Sequence, residues 1–231
     1  MTKIKTNIPG FDKLVGGGLP LGKNILLSGT PGTGKTIFAL QYLFNGADKF
    51  NEKGIYISFE EEKEDLIEQA SQFGWDFEKL EKEKKLKIIS IPVSDIKSST
   101  AKEILNIANK YGAKRIVIDS LSALSINTPT TFHKTTELTE ISIKRFMYSF
   151  INQIKNRETT CLLISQTIEG QMSRDTVSEF ICDGVVLIHY ESMGGDFSRS
   201  LTIRKMRECK NDTDIHPVEI NNKGIRIHSL D

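Results

Sequence analysis

Short apolar runs alternate with amphipathic stretches along most of this chain. Ile25-Leu26-Leu27 predicts a buried strand, and Ile37 to Phe44 follows a glycine-rich turn with helical character. Gly54-Ile55-Tyr56-Ile57-Ser58-Phe59 is a second β-rich run and ends in Glu60-Glu61-Glu62. Lys63 to Phe73 predicts a helix with Leu66, Ile67 and Ala70 on one face, and the Glu/Lys-rich stretch Glu78 to Lys87 a solvated helix and turn. Leu86 to Ile91 is the next strand. Ser99 to Tyr111 suits a helix with Ala101, Ile104, Leu105 and Ala108 at helical spacing, stopped by Gly112. Arg115-Ile116-Val117-Ile118-Asp119-Ser120 is an apolar strand ending in aspartate. Ser122 to Thr136 is polar and poor in core signals, which predicts a mobile loop. Glu137 to Arg157 is a long amphipathic segment carrying Leu138, Ile141, Phe146, Phe150, Ile151 and Ile154. Thr160 to Ser165 is another buried strand, reaching Gln166-Thr167.

From Asp183 the βα alternation stops. Gly184 to Tyr190, Arg199 to Arg207, Pro217 to Ile220 and Gly224 to Ile227 read as strands joined by short polar turns, an antiparallel extension of a parallel sheet. At the other end, Ile8-Pro9-Gly10-Phe11-Asp12 predicts a turn into a short helix. Gly16-Gly17-Gly18-Leu19-Pro20 predicts a flexible loop feeding the first core strand. The expected class is α/β: a mostly parallel central sheet flanked by helices, with antiparallel C-terminal strands, in one domain over residues 1–231.

Composition narrows the chemistry. The chain has 231 residues, enough for one large core, and a net charge of +1 that shows no global polybasic character. Cys161, Cys182 and Cys209 are far apart and odd in number, and the four histidines match no ligand spacing, so neither a disulfide framework nor a zinc site is expected. Cys161 opens an apolar run and is expected in the core. No apolar run approaches membrane-spanning length and the N-terminus lacks the apolar stretch of a signal peptide. A soluble cytoplasmic protein without membrane contact is the expectation.

Residues Gly29 to Thr36 read Gly-Thr-Pro-Gly-Thr-Gly-Lys-Thr, the phosphate-binding loop pattern, in the strand–loop–helix context it requires. Gly29, Gly32 and Gly34 are expected to take backbone angles closed to other residues, turning N–H groups toward a phosphate. The following helix adds its free N–H groups and positive dipole end. Thr30, Pro31, Gly32, Thr33, Gly34, Lys35 and Thr36 are therefore expected to bind nucleotide. Lys35 should reach the β- and γ-phosphates, and the Thr36 hydroxyl should bind Mg2+. Acids after a strand suit a solvated helix start. Ligands in open α/β sheets also bind at the carboxyl ends of strands, so a strand ending in acids next to the phosphate-loop strand can present a carboxylate to attacking water. Asp119, at the end of its own strand, should hold Mg2+ directly or through water. Gln166-Thr167 is open between a γ-phosphate sensor and a plain strand end. Lys205 and Arg207, two apart in a strand, should point to one side. They read either as a two-pronged cation for phosphoryl oxygens or as a solvated basic face.

These residues resemble, in order and over nearly the whole chain, the KaiC-like branch of the RecA-like P-loop NTPases. The likeness includes Ile8 to Asp12, Gly16 to Pro20, Gly29 to Thr36, Ser58-Phe59-Glu60-Glu61, Phe73-Gly74-Trp75-Asp76, Ile118-Asp119-Ser120, Val177-Ser178-Glu179-Phe180 and Lys205-Met206-Arg207. The resemblance implies an ATPase using ATP and Mg2+. Glu60 and Glu61 would polarise the lytic water, Asp119 would be the magnesium-associated acid, and Lys205 and Arg207 would reach the γ-phosphate of a neighbouring subunit. A hexameric ring with ATP between subunits is implied, and so is a regulatory or remodelling role through a protein partner. KaiC has two such domains in tandem and one is expected here, so neither the clock role nor autokinase activity is carried over. No base-reading motif separates ATP from GTP, and ATP comes from the resemblance alone.

Two other functions compete. A recombinase-like DNA-binding ATPase would place DNA loops at Ser122 to Thr136 and Thr167 to Val177. These offer only His133, Lys134, Arg174 and Phe132, thin for phosphate contacts or base stacking. A nucleotide-binding switch with negligible turnover is the third reading, and the intact Lys35, Thr36, Asp119 and Glu60 argue against it.

Overall fold

The structure, a computed structural model, describes residues 2–129, 139–167, 172–173, 175–190 and 198–228. The strands are β1 (Lys3–Ile4), β2 (Leu19–Pro20), β3 (Asn24–Gly29), β4 (Gly54–Ser58), β5 (Leu86–Ser90), β6 (Arg115–Asp119), β7 (Thr160–Gln166), β8 (Gly184–Tyr190), β9 (Arg199–Met206), β10 (His216–Asn221) and β11 (Gly224–Ile227). The helices are α1 (Phe11–Leu14), α2 (Lys35–Lys49), α3 (Lys63–Ser71), α4 (Phe77–Lys82), α5 (Thr100–Tyr111), α6 (Leu121–Ile126), α7 (Glu140–Gln153) and α8 (Ser178–Ile181).

Among the described residues nine strands form one sheet in the order β11-β10-β9-β8-β3-β7-β6-β4-β5. The six from β8 to β5 are parallel, and β9, β10 and β11 continue antiparallel. The parallel strands inside the sheet are buried on both faces, which is why their sequences are nearly continuous apolar runs, whereas edge strand β5 leaves Lys87 exposed. Successive residues alternate between two cores. Ile25, Leu27, Tyr56, Val117 and Leu162 pack with α2, α3 and α4. Leu26, Ile55, Ile57, Ile116, Ile118 and Leu163 pack with α5, α6 and α7. Cys161 lies fully buried in this second core, as its place in an apolar run predicts.

Four expectations change. Strand β4 does not lie next to β3, because β6 and β7 come between them. The Gly16–Pro20 stretch is not a free loop: Leu19–Pro20 pairs with Lys3–Ile4, and a Cβ on Gly18 would sit 2.5 Å from the Ile4 carbonyl oxygen. The segment after Asp119 does not open as a mobile loop, since α6 is buried from Leu121 to Ser125 and Ser120 caps it through the Ala123 N–H. Its small serines turn their hydroxyls to backbone carbonyls within the segment or on β7, which lets a polar sequence enter the core. In α7, Ile141 is 63% exposed, so the buried face starts at Ser142 and its apolar part runs through Phe146, Met147, Phe150 and Ile151. Residues 130–138, which include Phe132, His133, Lys134 and Leu138, lie outside the described residues.

Register brings the strand tips together. Gly29 pairs with Gln166 and Ser58 with Asp119, so the ends of β3, β7, β6 and β4 line one edge of the sheet. Strand β7, inserted between β3 and β6, places Gln166 in the middle of that edge.

Candidate active site

The phosphate-loop sequence leaves β3 at Gly29 and enters α2 at Lys35. Gly32 (φ 79°) and Gly34 (φ 98°) take the left-handed backbone expected of them. Gly29 does not, and it is required for a different reason: a Cβ there would lie 2.3 Å from the Ile188 carbonyl oxygen of β8. Lys35 Nζ donates to the Thr30 carbonyl at 2.8 Å and lies 3.4 Å from Thr33 Oγ1, so the side chain curls over the loop. The Thr33 hydroxyl donates to the same Thr30 carbonyl. Burial lowers the Lys35 pKa, and the charges of Asp119 and Glu60 oppose that shift. Its ammonium is thus held by neutral oxygens beside a loop of backbone donors, an arrangement suited to a phosphate.

Thr36 Oγ1 lies 3.4 Å from Asp119 Oδ2. Burial raises the Asp119 pKa to about 6, partly offset by the phenol of Tyr56, which donates to Oδ2 at 2.5 Å. No cluster of three or more His, Cys, Asp or Glu able to hold a metal occurs among the described residues. One hydroxyl beside one buried carboxylate, next to a phosphate loop, instead fits Mg2+. That ion keeps several waters and binds through one or two protein oxygens plus substrate phosphates.

The two acids separate. Glu60 accepts from the Ser120 hydroxyl and, at 3.1 Å, from Gln166 Nε2, which ties it to the strand tips, near enough for its charge to act on Lys35 and Asp119. Glu61 turns toward α3, where its carboxylate accepts from Gln69 and its backbone N–H and C=O bond the Ser58 hydroxyl. Gln166 is therefore not a free strand end, because its side chain binds Glu60 and its N–H the Ser122 hydroxyl.

Lys205 and Arg207 do point together, and both donate to the Phe180 carbonyl of α8. Lys205 pairs with Val185, which pairs with Leu26 of β3, three residues before Gly29. The pair thus sits toward the opposite edge of the sheet from its own phosphate loop. Asp183, 3.8 Å from Arg207, and the neighbouring guanidinium share this patch. Burial and the charge of Arg207 lower the Lys205 pKa.

Four residues were not legible in advance. Ser120 and Gln69 direct the two glutamates, and Tyr56 holds Asp119. Arg199 donates to the Gly32 carbonyl at 3.1 Å and stacks over Tyr190 at 5.0 Å, which puts a cation of the same chain on the loop. Tyr56 left a trace in the sequence as a polar-tipped residue inside an apolar strand, and Ser120 stood in the Ile118-Asp119-Ser120 motif without a role. Arg174 and residues 168–171, which fall in the second DNA-loop expectation, lie outside the described residues.

Comparison with known proteins bears on the family and the fold. A family model described as "ATPase: KaiC" matches residues 4–231. The circadian clock oscillator protein KaiC of Synechococcus elongatus is 34% identical over 241 residues, covering 100% of this chain and 45% of KaiC. The chain thus spans about half the length of that relative. The UPF0273 protein MJ1359 of Methanocaldococcus jannaschii is 35% identical over 245 residues, covering 99% of this chain and 97% of MJ1359. Among solved structures, the KaiC-like protein PH0186 of Pyrococcus horikoshii superposes with a TM-score of 0.82 at 33% identity, over 99% of both chains. On sequence, strand order and loop geometry together, the chain belongs to the KaiC-like ATPase family and has its RecA-like fold.

Proposed function

We propose that this chain, as one domain over residues 1–231, hydrolyses ATP to ADP and phosphate with Mg2+. The observation that carries the reading is Glu60, held by Ser120 and Gln166 at the strand tips, where its charge acts on both Lys35 and Asp119. In this reading residues Thr30 to Thr36 hold the phosphates, with Lys35 on the β- and γ-oxygens. Thr36 and Asp119 hold the metal, which when bound supplies charge to the phosphate oxygens. Glu60 orients a water and accepts its proton, and Gln166 links that carboxylate to the γ-phosphate position. Glu61, taken up by Gln69, supports the strand tip and polarises the water less directly.

The test is Glu60→Gln. Loss of the carboxylate is expected to lower kcat by about 100-fold or more, with nucleotide affinity within about threefold of wild type. Unchanged turnover would sink the assignment, and equal loss of binding and turnover would make Glu60 structural. Hydrolysis that is absent in wild type as well would favour the nucleotide-binding switch.

We infer further that the working unit is a head-to-tail ring, hexameric by family, with Lys205 and Arg207 serving the next subunit's phosphates. The reading is supported by their register, since Lys205 lies level with Leu26, three residues before the loop begins at Gly29, and Arg207 lies further from that end. A regulatory or remodelling role through a protein partner is our reading of the likeness to KaiC. The DNA-binding reading stays the weaker alternative, and Phe132, His133, Lys134 and Arg174, on which it would draw, lie outside the described residues.

A further inference from the structure

Strand β4 is buried along its whole length, and Tyr56 at its centre is fully enclosed in the core beneath α2. A phenylalanine would fill that space equally well. The hydroxyl group is nevertheless committed, because it donates to Asp119 Oδ2 at 2.5 Å across the β4–β6 pair. Thr36 Oγ1 lies 3.4 Å from the same oxygen. The three groups come from β4, β6 and the first turn of α2, and the phenol is the one that no phosphate-binding motif specifies. Tyr42, equally buried in the same core, makes a useful contrast: its hydroxyl finds no hydrogen-bond partner among the described residues.

An aspartate at a strand tip has a broad terminal torsion, so the backbone alone does not fix the plane of its carboxylate. The Asp119 carboxylate also sits near the like charges of Glu60 and Glu61. A fixed donor on Oδ2 sets the plane, and the described hydrogen bonds to the carboxylate fall on that oxygen.

We propose that Tyr56 is a positioning residue for the magnesium corner, its O–H orienting Asp119 so that the carboxylate meets the ion or its water without rearrangement. This rests on the reading of Thr36 and Asp119 as that corner. Partners behind a metal-binding side chain commonly change metal affinity about 10- to 100-fold when removed.

The experiment uses the full chain with a fluorescent ADP analogue, first in EDTA and then titrated with Mg2+. Tyr56→Phe is expected to raise the half-saturating Mg2+ concentration about tenfold, while affinity for the analogue in EDTA stays within about twofold. Tyr42→Phe, the packing control, should titrate like wild type. In an Asp119→Asn background, Tyr56→Phe should add no further shift. The proposal is overturned if Tyr56→Phe superimposes on wild type while Asp119→Asn is displaced, a result that leaves the magnesium corner standing. It is also overturned if Tyr56→Phe weakens binding equally with and without Mg2+, or shifts the Asp119→Asn titration by the same factor. An Asp119→Asn titration identical to wild type would remove the magnesium corner itself, and with it this inference.

Discussion

Asp119 is a carboxylate held in the core, and its ionisation exposes the cost. Burial raises its pKa from the ordinary 3.8 to about 6. A carboxyl group whose folded pKa is raised binds its proton more tightly in the folded state. Its cost is therefore absent below about pH 4, develops between pH 4 and 6, and is complete above pH 6. The shift corresponds to a penalty on the order of 3 kcal/mol. Metal-free Asp119→Asn should then melt several degrees above wild type at pH 8 and close to it at pH 4. Thermal melts in EDTA at the two pH values check this, and a pH-independent difference would show that charge burial is not the cause. At the same scale, Glu60 and Glu61 are adjacent and chemically identical. What separates them is which neighbour donates to each, Ser120 and Gln166 for one and Gln69 for the other.

Among the elements, α2 contains an apparent fault. Gly46 lies inside the helix, where replacement by alanine ordinarily stabilises by about 1 kcal/mol. Here a Cβ would sit 2.4 Å from Arg115 Nε. Arg115 opens β6 with no solvent exposure and donates to the carbonyls of Tyr42 and Lys5 and to the Glu52 carboxylate. It also lies over the rings of Tyr42 and Phe50. One guanidinium thus ties the N-terminal segment, the end of α2 and the approach to β4. Overpacking of this kind costs about 1–3 kcal/mol, which outweighs the propensity gain. Gly46→Ala is therefore expected to lower the urea midpoint, and a raised midpoint would contradict the steric account. Helical periodicity predicted α2 correctly, but it could not explain the glycine, because the crossing residue lies 69 positions away.

For the whole molecule, the decisive distance separates the loop from the cations. Antiparallel pairing of β9 with β8 carries Lys205 back to the level of Leu26, away from the edge where Lys35 stands. If the clamp acts between subunits, Lys35→Ala and the double variant Lys205→Ala/Arg207→Ala should each be nearly inactive. Mixed in equal amounts, they should recover roughly a quarter of wild-type turnover. In random head-to-tail assembly that fraction of junctions pairs an intact loop with an intact clamp. No recovery in a mixture shown to co-assemble would place the clamp outside the reaction. The same scale bears on membranes only narrowly: no helix among the described residues is long and apolar enough to cross one.

By itself the sequence determined most of the succession of elements, though not the β1–β2 pair or α6, and also the phosphate-loop motif and the acid at the end of each relevant strand. These follow from signals that act over a few residues: apolar runs on doubly buried strands, helical spacing, and glycines that permit a left-handed turn. Sheet order was a different matter. Nothing local tells β4 that β6 and β7 will stand between it and β3, and that order is what brings Gln166 onto Glu60. Tyr56 on Asp119, Arg199 on Gly32 and Ile188 against Gly29 are likewise contacts between residues at least 63 positions apart. Only the tertiary structure decided them, because they depend on which strand tips share an edge and in what register, and local pattern carries no record of either.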